Sequence, residues 1–262
     1  MTGPQRIVCL TAETVETLYM LGQEDRIAGV TGYAVRPSRV RREKPRVGAF
    51  TSADTAKILA LNPDLVLTFS DLQADIAADL IRAGVEVLAF NQRDVAGILR
   101  MINTLARLTG ASEQAATFLG EFEARRDVLA AEAATRTVRP RVWFEEWDEP
   151  LICGIGWISD LIEIAGGQDI FADRARCANA ADRIVTADQV AARTPDLILA
   201  SWCGKKIAPE RIAGRPGWTT LPAVRAGRIH EIKAPFILAP GPAALTDGLD
   251  QIALHIANAL ED

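Results

Sequence analysis

RVWFEEWDEPLICGIGWISDLIEIAGGQDIFAD, residues Arg141 to Asp173, is the stretch whose reading decides the fold. A strand-like run, Arg141 to Glu145, starts just after Pro140. Asp148 to Gly156 then reads as a turn-forming loop carrying Pro150, Gly154 and Gly156. Trp157, Ile158, Leu161, Ile162 and Ile164 recur at helical spacing until Gly166-Gly167 stops them. Trp143, Trp147 and Trp157 therefore crowd one strand-to-helix junction together with Glu145, Glu146, Asp148, Glu149 and Cys153. In open α/β sheets ligands sit at such junctions, at the carboxyl ends of strands.

Upstream, the chain alternates strands and helices. Arg6 to Thr11 reads as a buried strand, Thr11 as the cap of a helix ending at Gly22, and Ile27 to Thr31 as a second strand. Val47 to Phe50 resumes a strand, Ser52 or Asp54 caps a helix through Leu61, and Asp64 to Phe69 is a strand. Gln73 to Ala83 is helical and Val85 to Phe90 extended. Such alternation predicts a parallel sheet covered by helices. From Val95 an apolar helical stripe runs to Gly110. Ser112 then reads as the cap of a further helix; no glycine or proline interrupts Glu121 to Val138, and a helix of about 25 residues, roughly 35 to 40 Å long, reads as a rigid strut.

An internal echo supports a division into two lobes. KILALNPDLVLTF (Lys57 to Phe69) matches QVAARTPDLILAS (Gln189 to Ser201), with Asp64 opposite Asp196. The reading is thus an α/β protein of two lobes, each a mostly parallel sheet flanked by helices, joined by a long helix. Residues 1–111 are expected to form the amino-terminal lobe, 112–139 the connecting helix, and 140–262 the carboxyl-terminal lobe.

The composition bounds the function. A net charge of −5 over 262 residues argues against a nucleic-acid binder. Arg36, Arg39, Arg41, Arg42, Lys44 and Arg46 form one basic run, read as a solvated loop or else an anion or partner surface. No apolar run of membrane-spanning length and no leader is visible, so the chain as written is expected to be cytoplasmic, or periplasmic if a leader has been removed. Cys9, Cys153, Cys177 and Cys203 lie far apart with no Cys-x-x-Cys pair. His230 and His255 are distant in the chain, and two histidines cannot make a three-histidine metal receptor. No Gly-x-Ser-x-Gly, His-Glu-x-x-His or phosphate-loop motif occurs, so no enzyme is expected. The acids at the Trp-rich corner could be a glycosidase pair, but a solvated rim is the preferred reading.

The chain resembles the substrate-binding proteins of the cobalamin, heme and ferric-siderophore ABC importers. The resemblance lies in RIVCLTAETVETLYMLGQEDRIAGVTGY, KILALNPDLVLTF, EEWDEPLICGIGWISDLIEIAGGQDIFAD, VTADQVAARTPDLILA and GRPGWTTLPAVRAGRIHEI, in order over nearly the whole length. The corner acid-Trp-x-x-Pro-x-x-x-Gly-x-x-Trp looks most like the cobalamin-binding branch. The resemblance implies two lobes, a helical backbone, and a corrinoid held non-covalently in the cleft between them, with heme or a ferric siderophore as the alternative.

Position by position, the family pattern implies Tyr33, Phe50 and Phe69 on the first wall. On the second it implies Glu146, Trp147, Trp157 and Trp202, with Phe236 from a late loop. Flat, largely apolar macrocycles need such aromatic surfaces plus a few polar groups. The permease-docking glutamates of the family fall here on Ala56 and Asp188. One acid is absent, leaving Asp54 nearby, and the other is shortened, so an importer receptor and an intracellular carrier both remain open. A third reading, a soft-metal or corrinoid sensor, would use Cys153 and Cys203. A monomer with a small-molecule ligand, and an ABC permease as possible partner, completes the expectation.

Overall fold

The computed structural model of the protein describes residues 3–177 and 179–261. Its chain divides into two compact units, Met1–Gln92 with Ala96–Gly120, and Arg93–Val95 with Glu121–Asp262. The division falls within the helix Ser112–Ala134.

The first unit is built on five parallel strands: β1 (Ile7–Cys9), β2 (Ile27–Thr31), β3 (Arg46–Gly48), β4 (Leu65–Phe69) and β5 (Val87–Phe90). They lie in the order β3-β2-β1-β4-β5. The first strand is central and buried throughout, as its unbroken apolar run requires. Val8, Leu10, Val47, Ile58, Val66 and Leu80 form a core beneath the sheet. The helix after β1, Ala12–Met20, ends as expected at Gly22, whose φ of +67° suits glycine. Thr11 does not cap it: its hydroxyl pairs with the Thr14 hydroxyl at 3.1 Å instead. Asp54 is the cap of the helix Thr55–Ala60, accepting from the Lys57 amide.

The second unit contains β6 (Arg141–Asp148), β7 (Leu151–Cys153), β8 (Gln168–Asp169), β9 (Leu197–Ala200) and β10 (Ile229–Glu231). The path is β10-β9-β6-β7, with β8 also paired to β6. All pairings are parallel except β6 with β7. The loop expected over Asp148 to Gly156 is therefore corrected. Strand β6 runs on to Asp148 and turns through Glu149-Pro150, and Leu151 returns opposite Asp148. Three residues are too few to show a periodicity in sequence, so β7 was illegible there.

The echo between the units is structural. The helices Thr55–Ala60 and Ala187–Ala192 each have six residues. Each is followed by a residue in the left-handed region, Asn62 (φ 46°) and Thr194 (φ 43°), before Pro and Asp. Asp64 accepts the amides of Gln5 and Arg6 at the start of the first strand. Asp196 accepts the amide and guanidinium of Arg141 at the start of β6. Burial opposes ionisation of Asp196, but the Arg141 hydrogen bonds outweigh it and hold its carboxyl below the usual range.

Candidate functional site

Most candidate residues lie at the carboxyl ends of parallel strands; Trp157 instead opens the helix after the antiparallel strand β7. Tyr33 lies two residues beyond β2, Phe50 two beyond β3, and Phe69 closes β4. Because these strands are parallel, all three sit at one edge. Phe50 and Phe69 are 6.4 Å apart between centroids and tilted by 47°. Tyr33 is 55% exposed and Phe69 only 6%. The edge is stitched together by Gln73, a residue the sequence did not single out. Its buried amide receives the Phe69 N–H at 2.9 Å and donates to the carbonyls of Phe50 and Leu10. A glutamine four residues after a strand carries no motif, so no sequence signal pointed to it.

Also buried at this edge is Glu13, in the first turn of the helix after β1. Burial pushes its carboxyl up to about 7, and its Oε1 has no hydrogen-bond partner. Cys9 beside it is pushed by burial up to about 12, so it is a protonated thiol at neutral pH.

In the second unit the acids prove to be the framework of the Trp-rich corner, which corrects the expectation of a solvated rim. Glu145 is wholly buried and accepts from Trp143 and Trp202 Nε1 and from both terminal nitrogens of Arg215. Glu146 is paired at both oxygens with Arg183, which also donates to the Cys153 carbonyl. The Asp148 side chain, 3% exposed, receives Lys205 at 2.6 Å and Arg211. Only Glu149 of the four lies exposed. The signal was present in the alternation along β6. Trp143 and Glu145 share one face, so a core Trp143 required a buried, paired Glu145.

The tryptophans consequently play different parts. Trp202 is buried, with Lys205 Nζ and the Arg211 guanidinium each 5.0 Å from its ring centre. Trp157 is buried and donates to the Ile237 carbonyl at 2.9 Å, which anchors the short helix Ala234–Ile237 that carries Phe236. Trp147 is half-buried, with Lys205 Nζ 4.2 Å over its ring. Of the candidate rings, Tyr33 is exposed and Phe50, Trp147 and Phe236 are partly exposed. Phe69, Trp157 and Trp202 are buried.

The helix entering from the corner is tied down locally. A Cβ on Gly156 would collide with the Arg93 carbonyl, so only glycine fits there. Asp160, one turn on, accepts the Val95 amide at 2.9 Å and pairs with Arg176.

The cysteine reading is not supported by the geometry. Burial, with Asp169 adding to it, pushes the Cys153 thiol up to about 12, whereas Cys203 is exposed. Among the described residues no cluster of three or more His, Cys, Asp or Glu could hold a metal ion. The separation of the two histidines is also corrected. His230 on β10 and His255 on the last helix stack at 4.2 Å with rings 12° apart. Burial lowers both, and the second ring helps bring His255 down to about 4.

The basic run is partly a framework too. Arg36 pairs with Glu16, and Arg39 pairs with Glu24 and Glu43 while lying 4.7 Å over Tyr19. Arg41, Arg42 and Arg46 are exposed, and Arg46 begins β3, at the sheet edge opposite the aromatic one. At the docking positions, Ala56 and Asp188 occupy the same second place in their equivalent helices. Both are exposed. The Asp54 carboxylate is engaged by the Lys57 amide and by its ammonium at 3.2 Å. No helix among the described residues is long and apolar enough to cross a membrane.

Comparisons with known proteins agree with this architecture. A cobalamin-binding protein of Halobacterium salinarum is 30% identical over 173 residues, covering 65% of this chain and 47% of its own length. The chain therefore spans about half of that relative. The periplasmic vitamin B12-binding protein of Vibrio cholerae superposes with a TM-score of 0.78 at 23% identity, over the full length of both chains. A periplasmic heme-binding protein from Roseiflexus sp. RS-1 superposes with a TM-score of 0.82 at 22% identity, over 98% of this chain and 99% of that one. The family model described as "periplasmic binding protein" matches residues 7–235. By this match, which takes in most of its length, the chain belongs to the periplasmic binding protein family.

Proposed function

We propose that the protein binds a corrinoid non-covalently and performs no chemistry on it, as the receptor of an ABC importer or as an intracellular carrier. The observation that supports this most is the ring surface at the strand ends. Tyr33 and Phe50 in one unit, and Trp147 and Phe236 in the other, leave aromatic faces accessible. A large, flat, amide-edged macrocycle matches such a surface, and the Halobacterium relative carries a cobalamin-binding description. In this reading Glu146, held by Arg183, offers its remaining acceptor capacity to an edge amide.

Titration with cyanocobalamin, followed by tryptophan fluorescence and ligand absorbance, tests the reading. Saturable quenching with a one-to-one endpoint is the expected result; no response would sink it. The same titration with hemin separates the alternative ligand class. For a permease partner, Asp188 is the exposed acid available to a transporter cation, whereas Asp54 is occupied as a helix cap. Loss of one docking charge lowers mainly association rate. Reconstitution with a candidate permease, comparing wild type with Ala56→Glu, would show whether the second charge restores coupling.

A further inference from the structure

We propose that Lys205, Lys206 and Arg211 form an anion subsite beside the Trp147 ring, and that it takes the phosphodiester of a corrinoid's nucleotide loop. The inference rests on the corrinoid reading and adds to it which part of the ligand is recognised, and by what.

The observation behind it is an imbalance around one carboxylate. Asp148, almost wholly buried, receives Lys205 at 2.6 Å and Arg211 as well. One cation suffices to neutralise it, so the second is surplus. Both cations remain in contact with solvent, with side chains 41% and 58% exposed. Lys206, next in the chain, is exposed and unpaired among the described residues. Glu210, next to Arg211 in sequence, and Glu149, next to Asp148, make no ion pair with any of the three among the described residues. The cations are also held in place. Lys205 Nζ stands 4.2 Å from the Trp147 ring centre and 5.0 Å from that of Trp202, and Arg211 lies 5.0 Å over Trp202. Positive charge is therefore fixed at the carboxyl edge of β9, against a ring open to a ligand.

The chemistry narrows the anion. The rim of a corrin ring carries neutral amides, and its one anionic group is the phosphodiester linking ring and base. An ammonium point charge beside a guanidinium fork suits phosphate oxygens. A porphyrin would present carboxylates to the same cations, so the test includes it.

The full chain is titrated by tryptophan fluorescence with cyanocobalamin and with dicyanocobinamide, which lacks the nucleotide loop and its phosphate. Wild type is expected to prefer cobalamin by about tenfold, the worth of one or two partly exposed charge contacts. In Lys206→Ala/Arg211→Ala that preference should fall to within about twofold. Lys206→Glu alone, at an exposed position with no structural partner, should lower it in the same direction. Equal affinities in wild type, or an unchanged preference in both variants, overturn the inference while leaving the corrinoid reading intact. If neither corrinoid binds, that reading fails and the subsite falls with it. If hemin alone depends on these cations, the anion is a carboxylate and the phosphodiester assignment is overturned.

Discussion

Glu145 and Arg215 meet as a two-pronged pair at 2.5 and 2.9 Å inside the second unit, where Glu145 also receives the indole N–H groups of Trp143 and Trp202 at 3.1 Å each. A carboxylate with no exposed surface is tolerable only when its charge and lone pairs are matched. Four donors converge on it here. The pair joins β6 to the end of β9 and to the segment before Trp218, whose ring lies 4.7 Å under the Arg215 guanidinium. The wall that carries Trp147 is thereby fixed from behind.

Glu145→Ala should destabilise the protein by about 3–5 kcal/mol, because it strands a largely buried guanidinium and two indole donors. Urea unfolding followed by tryptophan fluorescence would measure it. Arg215→Met combined with Glu145→Leu should cost less than the sum of the single changes. A strictly additive double variant would show that the pair is not coupled.

Asp64 and Asp196 perform the same task in the two units, each accepting a backbone amide at the start of a central strand. Either aspartate changed to alanine should cost about 1.5–3 kcal/mol. Hydrogen exchange should show the Arg6 amide opening in Asp64→Ala and the Arg141 amide in Asp196→Ala. Unchanged protection at these amides would refute the clamp.

Acidity should weaken the fold through the histidine pair. Both folded values lie below the ordinary 6.5, His255 at about 4, so the unfolded chain binds more protons between those limits. The stability present above pH 6.5 is then lost as pH falls toward 4. Allowing for the partial exposure of the rings, the loss is on the order of 1–2 kcal/mol. His255→Phe should flatten the slope of unfolding free energy between pH 7 and 5. A slope equal to that of wild type would exclude the pair as its source.

Glu13 has the opposite sign. Its folded value of about 7 exceeds the ordinary 4.5, so its contribution is complete below pH 4.5 and disappears as pH rises through 7. Glu13→Gln removes the cost of ionising a buried acid, and should stabilise the protein at pH 8 by about 1–3 kcal/mol while changing little at pH 5. Melting temperatures at the two pH values would decide, and equal shifts at both would contradict the assignment.

The cysteines should separate by burial. With iodoacetamide at pH 8 under native conditions, Cys203 should alkylate readily, whereas Cys9 and Cys153 should react only after denaturation. Peptide mass spectrometry would read this directly, and native modification of Cys153 would reopen the thiolate reading.

Much of this protein could be read from its residues one after another. The alternation of apolar runs with amphipathic stretches and the Asn62-Pro63-Asp64 and Thr194-Pro195-Asp196 echo led to two α/β units, and the resemblance of whole runs of sequence supplied the family. These signals are local, or repeat along the chain, and periodicity and turn chemistry express them directly. Tertiary structure decided which groups carry charge and which carry rings. Glu145, Arg215, Arg183 and Gln73 become organisers only when strands remote in sequence bring their partners within hydrogen-bond distance. The pairing of Glu145 with Arg215 spans 70 residues, and that of Glu146 with Arg183 spans 37. His230 and His255 likewise stack only because the last helix packs against β10. Burial sets the cost of a charge, and a sequence does not state burial until the chain has folded back on itself. That is why the tryptophans of the Arg141–Asp173 corner stood out from the start, whereas of its acids only Glu145 had a signal in the sequence, its alternation with Trp143, and the partners of all of them came with the fold.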